Sequence, residues 1–346
     1  MAPLLFAGGV RAIAVDRVGF GRTERPDPPT LPPPPPLPGR ELLASSLESL
    51  VDAKNAPSAS GLQALIPDPR TALATALRRP ATLAPRLPWE LSRLGKDPYS
   101  STFAVSALSP LLKNIAISPE ERPVYFVGHS AGGPLALRAL CQAGSDTSFL
   151  PAKMKVGGVM LVAPAVLDPE EDPDAYNSDA STEQLPLSVR IAAFQAILTL
   201  PDAFSVGIAR RLADRNVTEA LLNQTHPLMA EQPDRVAALV AKYAAPIQEY
   251  PDVWDTALLN VYRADFGVRG DDKILRGRPL LSAARRLLGK FAVVTGDDDR
   301  IVPVRASRRV GEILDAEVLE MKEVGHLPMD ERPEEFARIL LRFISS

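Results

Sequence analysis

Short apolar runs closed by glycine or proline alternate along the chain with stretches of helical spacing. Val10–Val15 follows Gly8-Gly9 and is ended by Gly19-Phe20-Gly21, while Val124–Val127 is closed by Gly128 and Val159–Ala163 by Pro164. Phe291–Thr295 and Val318–Met321 complete the set. Continuous apolar runs of this length suit strands buried on both faces, so they predict parallel strands, with Val10–Val15 as the first of them. Ala131–Cys141 reads as a helix. Near the C-terminus Phe336, Ile339, Leu340, Phe343 and Ile344 share one helical face, with Pro333 at the permitted first turn. Strands alternating with helices predict an α/β fold, a mainly parallel sheet with flanking helices.

Two stretches interrupt that alternation. Between Asp168 and Arg286 no strand pattern appears, and apolar helical spacing recurs at Leu187–Leu200, Ala203–Leu212 and Val236–Tyr243. This predicts a helical cap inserted between two strands. From Pro26 the chain turns to proline, with five in a row from Pro32 to Pro36, and only weak helical patterns at Glu41–Val51 and Arg70–Arg79. Proline fixes φ and lacks an amide donor, so the run favours polyproline II. A tolerated, flexible surface insert outweighs a ligand for an SH3-type or WW-type module. The expected order is core over 1–25, insert over 26–96, core over 97–167, cap over 168–286 and core over 287–346.

Composition narrows the function classes. Apolar residues make up 46% and charged residues 23% of 346, ordinary for a globular protein. A net charge of -3 leaves no cationic excess for phosphates, which argues against a nucleic-acid partner. No apolar run approaches the roughly 20 residues of a transmembrane segment, and Met1–Val10 lacks the pattern of a secretory signal. The one cysteine, Cys141, excludes a disulfide within the chain and a thiolate metal site. Oligomeric state stays open, as does the compartment, cytoplasmic or plastid if a targeting segment precedes this sequence.

Gly128-His129-Ser130-Ala131-Gly132 matches G-x-S-x-G and lies between a predicted strand and a predicted helix. In that context the sharp turn lifts the Ser130 hydroxyl above the sheet, and the glycines permit close approach of helix and strand. A serine hydroxyl needs a base to take its proton and an acid to orient that base. The chain has 3 histidines. His129 is expected to pack beside the elbow, and His226, in Gln224-Thr225-His226-Pro227, to lie in the cap. His326, in Val324-Gly325-His326-Leu327-Pro328 beyond the last strand, is the candidate base. The candidate acids are Asp297, Asp298 and Asp299, at the carboxyl end of the Phe291–Thr295 strand.

These motifs together resemble the α/β-hydrolase superfamily, in its capped branch with a serine nucleophile, which includes plant and algal proteins of this fold. Asp16-Arg17-Val18-Gly19-Phe20-Gly21-Arg22-Thr23 is similar to its D-x-x-G-x-G-x-[ST] element, Gly296–Pro303 to G-x-x-D-x-x-V-P, and Gly325-His326 to its terminal G-H. The resemblance implies Asp299 as the acid, three residues past Gly296, and the backbone N–H of Ala131 as one oxyanion donor. It also implies hydrolysis of a small-molecule ester-like substrate through an acyl-serine, with no cofactor and no metal. Members that open epoxides or remove halides carry aspartate where Ser130 stands. Ile191, Phe194, Ile197, Leu198 and Leu200 of the cap are candidates either to line an acyl pocket or to pack the cap onto the core.

The family's H-G motif, which supplies a second oxyanion donor, and the third strand that precedes Val10–Val15 have no counterpart here. That predicts a shortened N-terminus, with Val10–Val15 either shifted against Val124–Val127 or loosely held at its edge. The alternative to an enzyme is a ligand-binding protein on the same fold, with weak or absent turnover, and a third reading is an inactive truncated fragment.

Overall fold

The computed structural model describes residues 2–15, 99–114, 123–151, 154–167, 172–176, 217–249, 261 and 276–346. Among these described residues four strands run in chain order as β1 (Val124–His129), β2 (Val156–Val162), β3 (Phe291–Gly296) and β4 (Glu317–Met321). They lie side by side as β1-β2-β3-β4, and every adjacent pair is parallel. The register sets Val159 beside Phe291 and Thr295 beside Glu320.

Parallel strands reached by helical crossovers are covered on both faces, and the alternation of side chains in β2 and β3 divides two apolar layers. Val159, Leu161 and Val293 point to one face. There they meet Leu137 and Leu140 of α3 (Gly132–Ser145), Leu280, Leu281 and Ala284 of α7 (Gly277–Leu287), and Ala306, Val310 and Leu314 of α8 (Val304–Leu314). Met160, Val162, Ala292 and Val294 point to the other. That face is closed by Leu5 of α1 (Ala2–Ala7) and by Phe336, Leu340 and Phe343 of α10 (Pro333–Ser345). Ile339 and Ile344 pack partly buried against the same cluster. Full burial of such side chains contributes roughly 1.5–3 kcal/mol each, so the two layers dominate the stability of the sheet.

The helix α2 (Ser101–Asn114) adds Val105 against Ala139 and Phe149 beyond α3. A short α4 (Pro173–Tyr176) comes after β2. Within 217–249 lie α5 (Val217–Leu222), a 3-10 turn (Pro227–Met229) and α6 (Pro233–Glu249), the last containing the Val236–Tyr243 pattern. Finally α9 (Pro328–Glu331) precedes α10. Among the described residues no helix is long and apolar enough to cross a membrane. The proline-rich stretch 26–96, the helical patterns at Leu187–Leu200 and Ala203–Leu212, and the pocket candidates Ile191 to Leu200 lie outside the described residues.

One predicted strand is corrected. Residues 11–15 are exposed, with Ile13 at 47% and Val15 at 52%, and they join no described strand. Before this segment α1 closes through Gly8 and Gly9, with the Val10 N–H returned to the Leu5 carbonyl at 3.0 Å and Gly9 at φ 75°. Beyond that turn residues 11–15 stay outside the described sheet. An apolar β-branched run becomes a strand only where a neighbour takes up its N–H and C=O groups. Among the described strands β1 pairs with β2 alone.

Candidate active site

Ser130 sits between β1 and α3 with φ at 51°, the left-handed region that non-glycine residues rarely occupy. Hydrogen bonds on both sides hold it there. Its N–H donates to the Val162 carbonyl at 2.8 Å, and its own carbonyl accepts from the N–H groups of Gly133 at 3.0 Å and Ala165 at 3.1 Å. A side chain on Gly128 would collide with the backbone of Gly132 and, at 2.9 Å, with the Cα of Gly133. The helix can begin this close to the strand only because that position has no Cβ. Gly132 is different from expectation, since nothing lies within 4 Å of where its Cβ would be. The second close approach belongs to Gly133, against Pro164 and Val166. Ala131 is exposed and occupies the N-cap of α3, at the end of the helix where unpaired amides concentrate positive potential.

β3 delivers the three aspartates, and they divide in role. Asp299 is buried, its carboxylate side chain 0% exposed, and Oδ1 accepts the N–H groups of Ile301 and Val302, both at 2.9 Å. Oδ2 meets Nδ1 of His326 at 2.9 Å, with Oδ1 at 3.1 Å from the same nitrogen. Asp298 instead pairs with Arg300 at 2.9 Å. Asp297 lies 3.5 Å from Lys322 and accepts from the Val324 N–H at 3.4 Å.

His326 is almost fully enclosed, its side chain 4% exposed. Because a carboxylate only accepts, Nδ1 carries the proton and Nε2 is left as the basic nitrogen. The loop comes this close to the aspartates because Gly296 leaves room for the backbone of Val324 and Gly325. His129, adjacent to Ser130 in the chain, lies against the other side. Its ring centroid is 4.8 Å from that of His326, and its Nε2–H donates to the His326 carbonyl at 2.8 Å. Burial first, and the neighbouring His326 second, lower the His129 pKa from 6.5 to about 4, so it is neutral near pH 7. Among the described residues the His326 ring bonds to Asp299 and makes no hydrogen bond to Ser130 Oγ. Such bonds are often long without substrate.

A further residue holds the histidine. The Glu331 carboxylate, buried on α9, accepts the N–H groups of Gly325 and Leu327, which flank His326, at 3.0 Å each by its nearer oxygens. It also accepts the His226 N–H at 2.7 Å. The segment 217–249 therefore touches the histidine loop directly. Leu327 completes a cluster with Leu221, Met229 and Leu239. His226 itself uses Nδ1 to accept the Leu228 N–H at 3.2 Å, capping the 3-10 turn. Nothing in the sequence marks Glu331, because Pro328-Met329-Asp330-Glu331-Arg332 has the charge pattern of a solvated turn.

Among curated proteins, none matches the sequence. Among solved structures the chain is similar to MGS-M2, an α/β-hydrolase enzyme from a Medee basin deep-sea metagenome library, at 15% identity and a TM-score of 0.46 over 72% of this chain and 73% of that one. It is also similar to a bromoperoxidase from Bacillus anthracis, at 18% identity and 0.46 over 72% and 75%. A thermophilic esterase from Thermogutta terrifontis matches at 17% identity and 0.45 over 71% and 74%. Likenesses this distant say nothing of substrate. The sequence model of the alpha/beta hydrolase family, in contrast, matches residues 1–339, and with a parallel sheet whose first described strand ends in a strained G-x-S-x-G turn, the chain belongs to that family.

Proposed function

We propose that this protein is a serine hydrolase that cleaves carboxylic esters through an acyl-serine intermediate. The observation that carries the reading is the buried His326–Asp299 contact of 2.9 Å, which turns Nδ1 to the carboxylate and makes Nε2 the acceptor of the neutral ring, at the carboxyl end of the sheet where Ser130 is also held. In this reading Nε2 takes the Ser130 proton as Oγ attacks the ester carbonyl. The tetrahedral oxyanion is met by the Ala131 N–H, and collapse expels the alcohol, which receives the proton back from His326. Water then repeats the sequence on the acyl-serine, with His326 again as base and then acid. Asp299 keeps the ring in the required tautomer and offsets the charge it gains. The segment 217–249 acts as part of a cap over the histidine loop, and a small ester with an apolar acyl group is the substrate class.

The test is covalent labelling by a fluorophosphonate together with turnover of a p-nitrophenyl ester. Wild type should label at Ser130 and turn over, and Ser130→Ala should do neither. Labelling elsewhere, or turnover retained in Ser130→Ala, places the nucleophile on another residue. Wild type that neither labels nor turns over, but is thermally stabilised by ester-like ligands, is a binding protein.

A further inference from the structure

We infer that Glu331 is a positioning residue for His326, and this rests on the serine-hydrolase reading above. A loop that leaves a strand and carries a base has no lattice of its own to fix it. Here the base is fixed from behind. One carboxylate, only 4% exposed, gathers the N–H groups on either side of His326, from Gly325 to Oε1 at 3.1 Å and Oε2 at 3.0 Å and from Leu327 to Oε1 at 3.0 Å. Oε2 also accepts the His226 N–H at 2.7 Å, so the same group fastens 217–249 to the loop. The peptide of His326 completes the clamp, its N–H donating to the Gln224 carbonyl at 2.7 Å.

Two further observations show that the fit is close. A Cβ on Gly325 would come within 2.6 Å of the Gln224 carbonyl oxygen and 2.8 Å of the His226 nitrogen, so the two backbones cross in contact. On the far side Arg235 donates to the carbonyls of Asp330 and Glu331 at 2.9 and 2.7 Å, and Lys242 and Tyr243 reach the Asp330 carboxylate at 2.7 and 2.9 Å. A buried carboxylate with charge-assisted bonds to several amides is strongly directional. Removing it leaves those N–H groups without an acceptor in a site too crowded for free relaxation. The effect reaches the reaction only through the position of the imidazole, which identifies Glu331 as positioning and not catalytic.

The experiment compares Glu331→Ala and Glu331→Gln with wild type in the full chain. An error of about 1 Å in such a group costs on the order of a hundredfold, so Glu331→Ala should lower kcat by about that factor while leaving KM little changed. Glu331→Gln should fall between, because its one carbonyl oxygen can keep the bonds of only one carboxylate oxygen. The proton on His326 Nδ1, followed by NMR in a Ser130→Ala background, should shift or broaden in Glu331→Ala. Wild-type kcat in Glu331→Ala, an unaltered Nδ1 proton, or a loss of rate fully explained by the fraction unfolded would each overturn the proposal. If Glu331→Ala does not fold, Glu331→Gln decides by the same readouts. Wild type without Ser130-dependent turnover would overturn the hydrolase reading alone, and the NMR comparison would still judge Glu331.

Discussion

Replacing Asp299 by asparagine inverts one hydrogen bond at the centre of the site. The asparagine oxygen must go on accepting the Ile301 and Val302 N–H groups, both 2.9 Å from Oδ1, or two buried amides lose their acceptor. Its NH2 group then stands at the place of Oδ2, 2.9 Å from His326 Nδ1. Two donors cannot face each other, so Nδ1 must become the acceptor and the ring proton moves to Nε2. The nitrogen that takes the Ser130 proton in the proposed mechanism is then occupied. Such a tautomer reversal costs on the order of 10⁴ in kcat. At 1.36 kcal/mol per decade that is about 5.4 kcal/mol of barrier. The turn itself keeps its bonds, so the melting temperature should fall little. Asp298→Asn removes only a partner of Arg300, and such partly exposed pairs contribute about 0–1 kcal/mol. Asp297→Asn should be similarly mild. The assay is kcat on a p-nitrophenyl ester, paired with thermal melts of all three variants. Asp298→Asn damaged as severely as Asp299→Asn, or Asp299→Asn keeping more than a tenth of wild-type kcat, would refute the reasoning.

His129 should make stability depend on pH. Its folded pKa lies below its unfolded value, so the unfolded chain binds more protons between 6.5 and about 4. The stabilisation is complete above pH 6.5 and is lost as pH falls towards 4, by about 3 kcal/mol at most. Urea titrations of wild type and His129→Phe across that range should diverge on acidification, and parallel curves would contradict it. Amides of residues 11–15, which join no described strand, should exchange with solvent orders of magnitude faster than those of β3. Strong protection there would show that the segment is paired in solution.

The parts of the fold that are legible in sequence are those where local pattern and tertiary demand coincide. Val159–Ala163 and Phe291–Thr295 are apolar almost without interruption because both faces of their strands are covered, and the spacing of Phe336, Leu340 and Phe343 records the one face that α10 buries. Val10–Val15 has a similar apolar, β-branched character and misleads, because composition reports the capacity to pair and not the presence of a neighbour. At the site, the motif around Ser130 is written in consecutive residues. The grouping of Asp299 with His326 is not: it depends on β3 and β4 being adjacent, and chain spacing alone leaves three aspartates open. Glu331 is illegible for a related reason. Its partners are backbone amides, and an amide has the same identity in every residue.

The strands that end at Ser130 and at the histidine loop are not neighbours, since β2 and β3 lie between β1 and β4. At about 4.8 Å per strand the separation is on the order of 14 Å, far more than a hydrogen bond. The loop after β4 must therefore lean back over the ends of two strands, as a cantilever leans from its wall. The load on a cantilever is borne by its supports, which here are the Asp299 carboxylate, the His129 ring and the cradle of Gln224 and Glu331. The sheet acts as a ruler that sets the reach, and any change in the twist between β1 and β4 is multiplied along the arm before it arrives at the imidazole. Substitutions deep in β2 or β3, remote from both side chains, are in a position to tune the distance between Ser130 and His326.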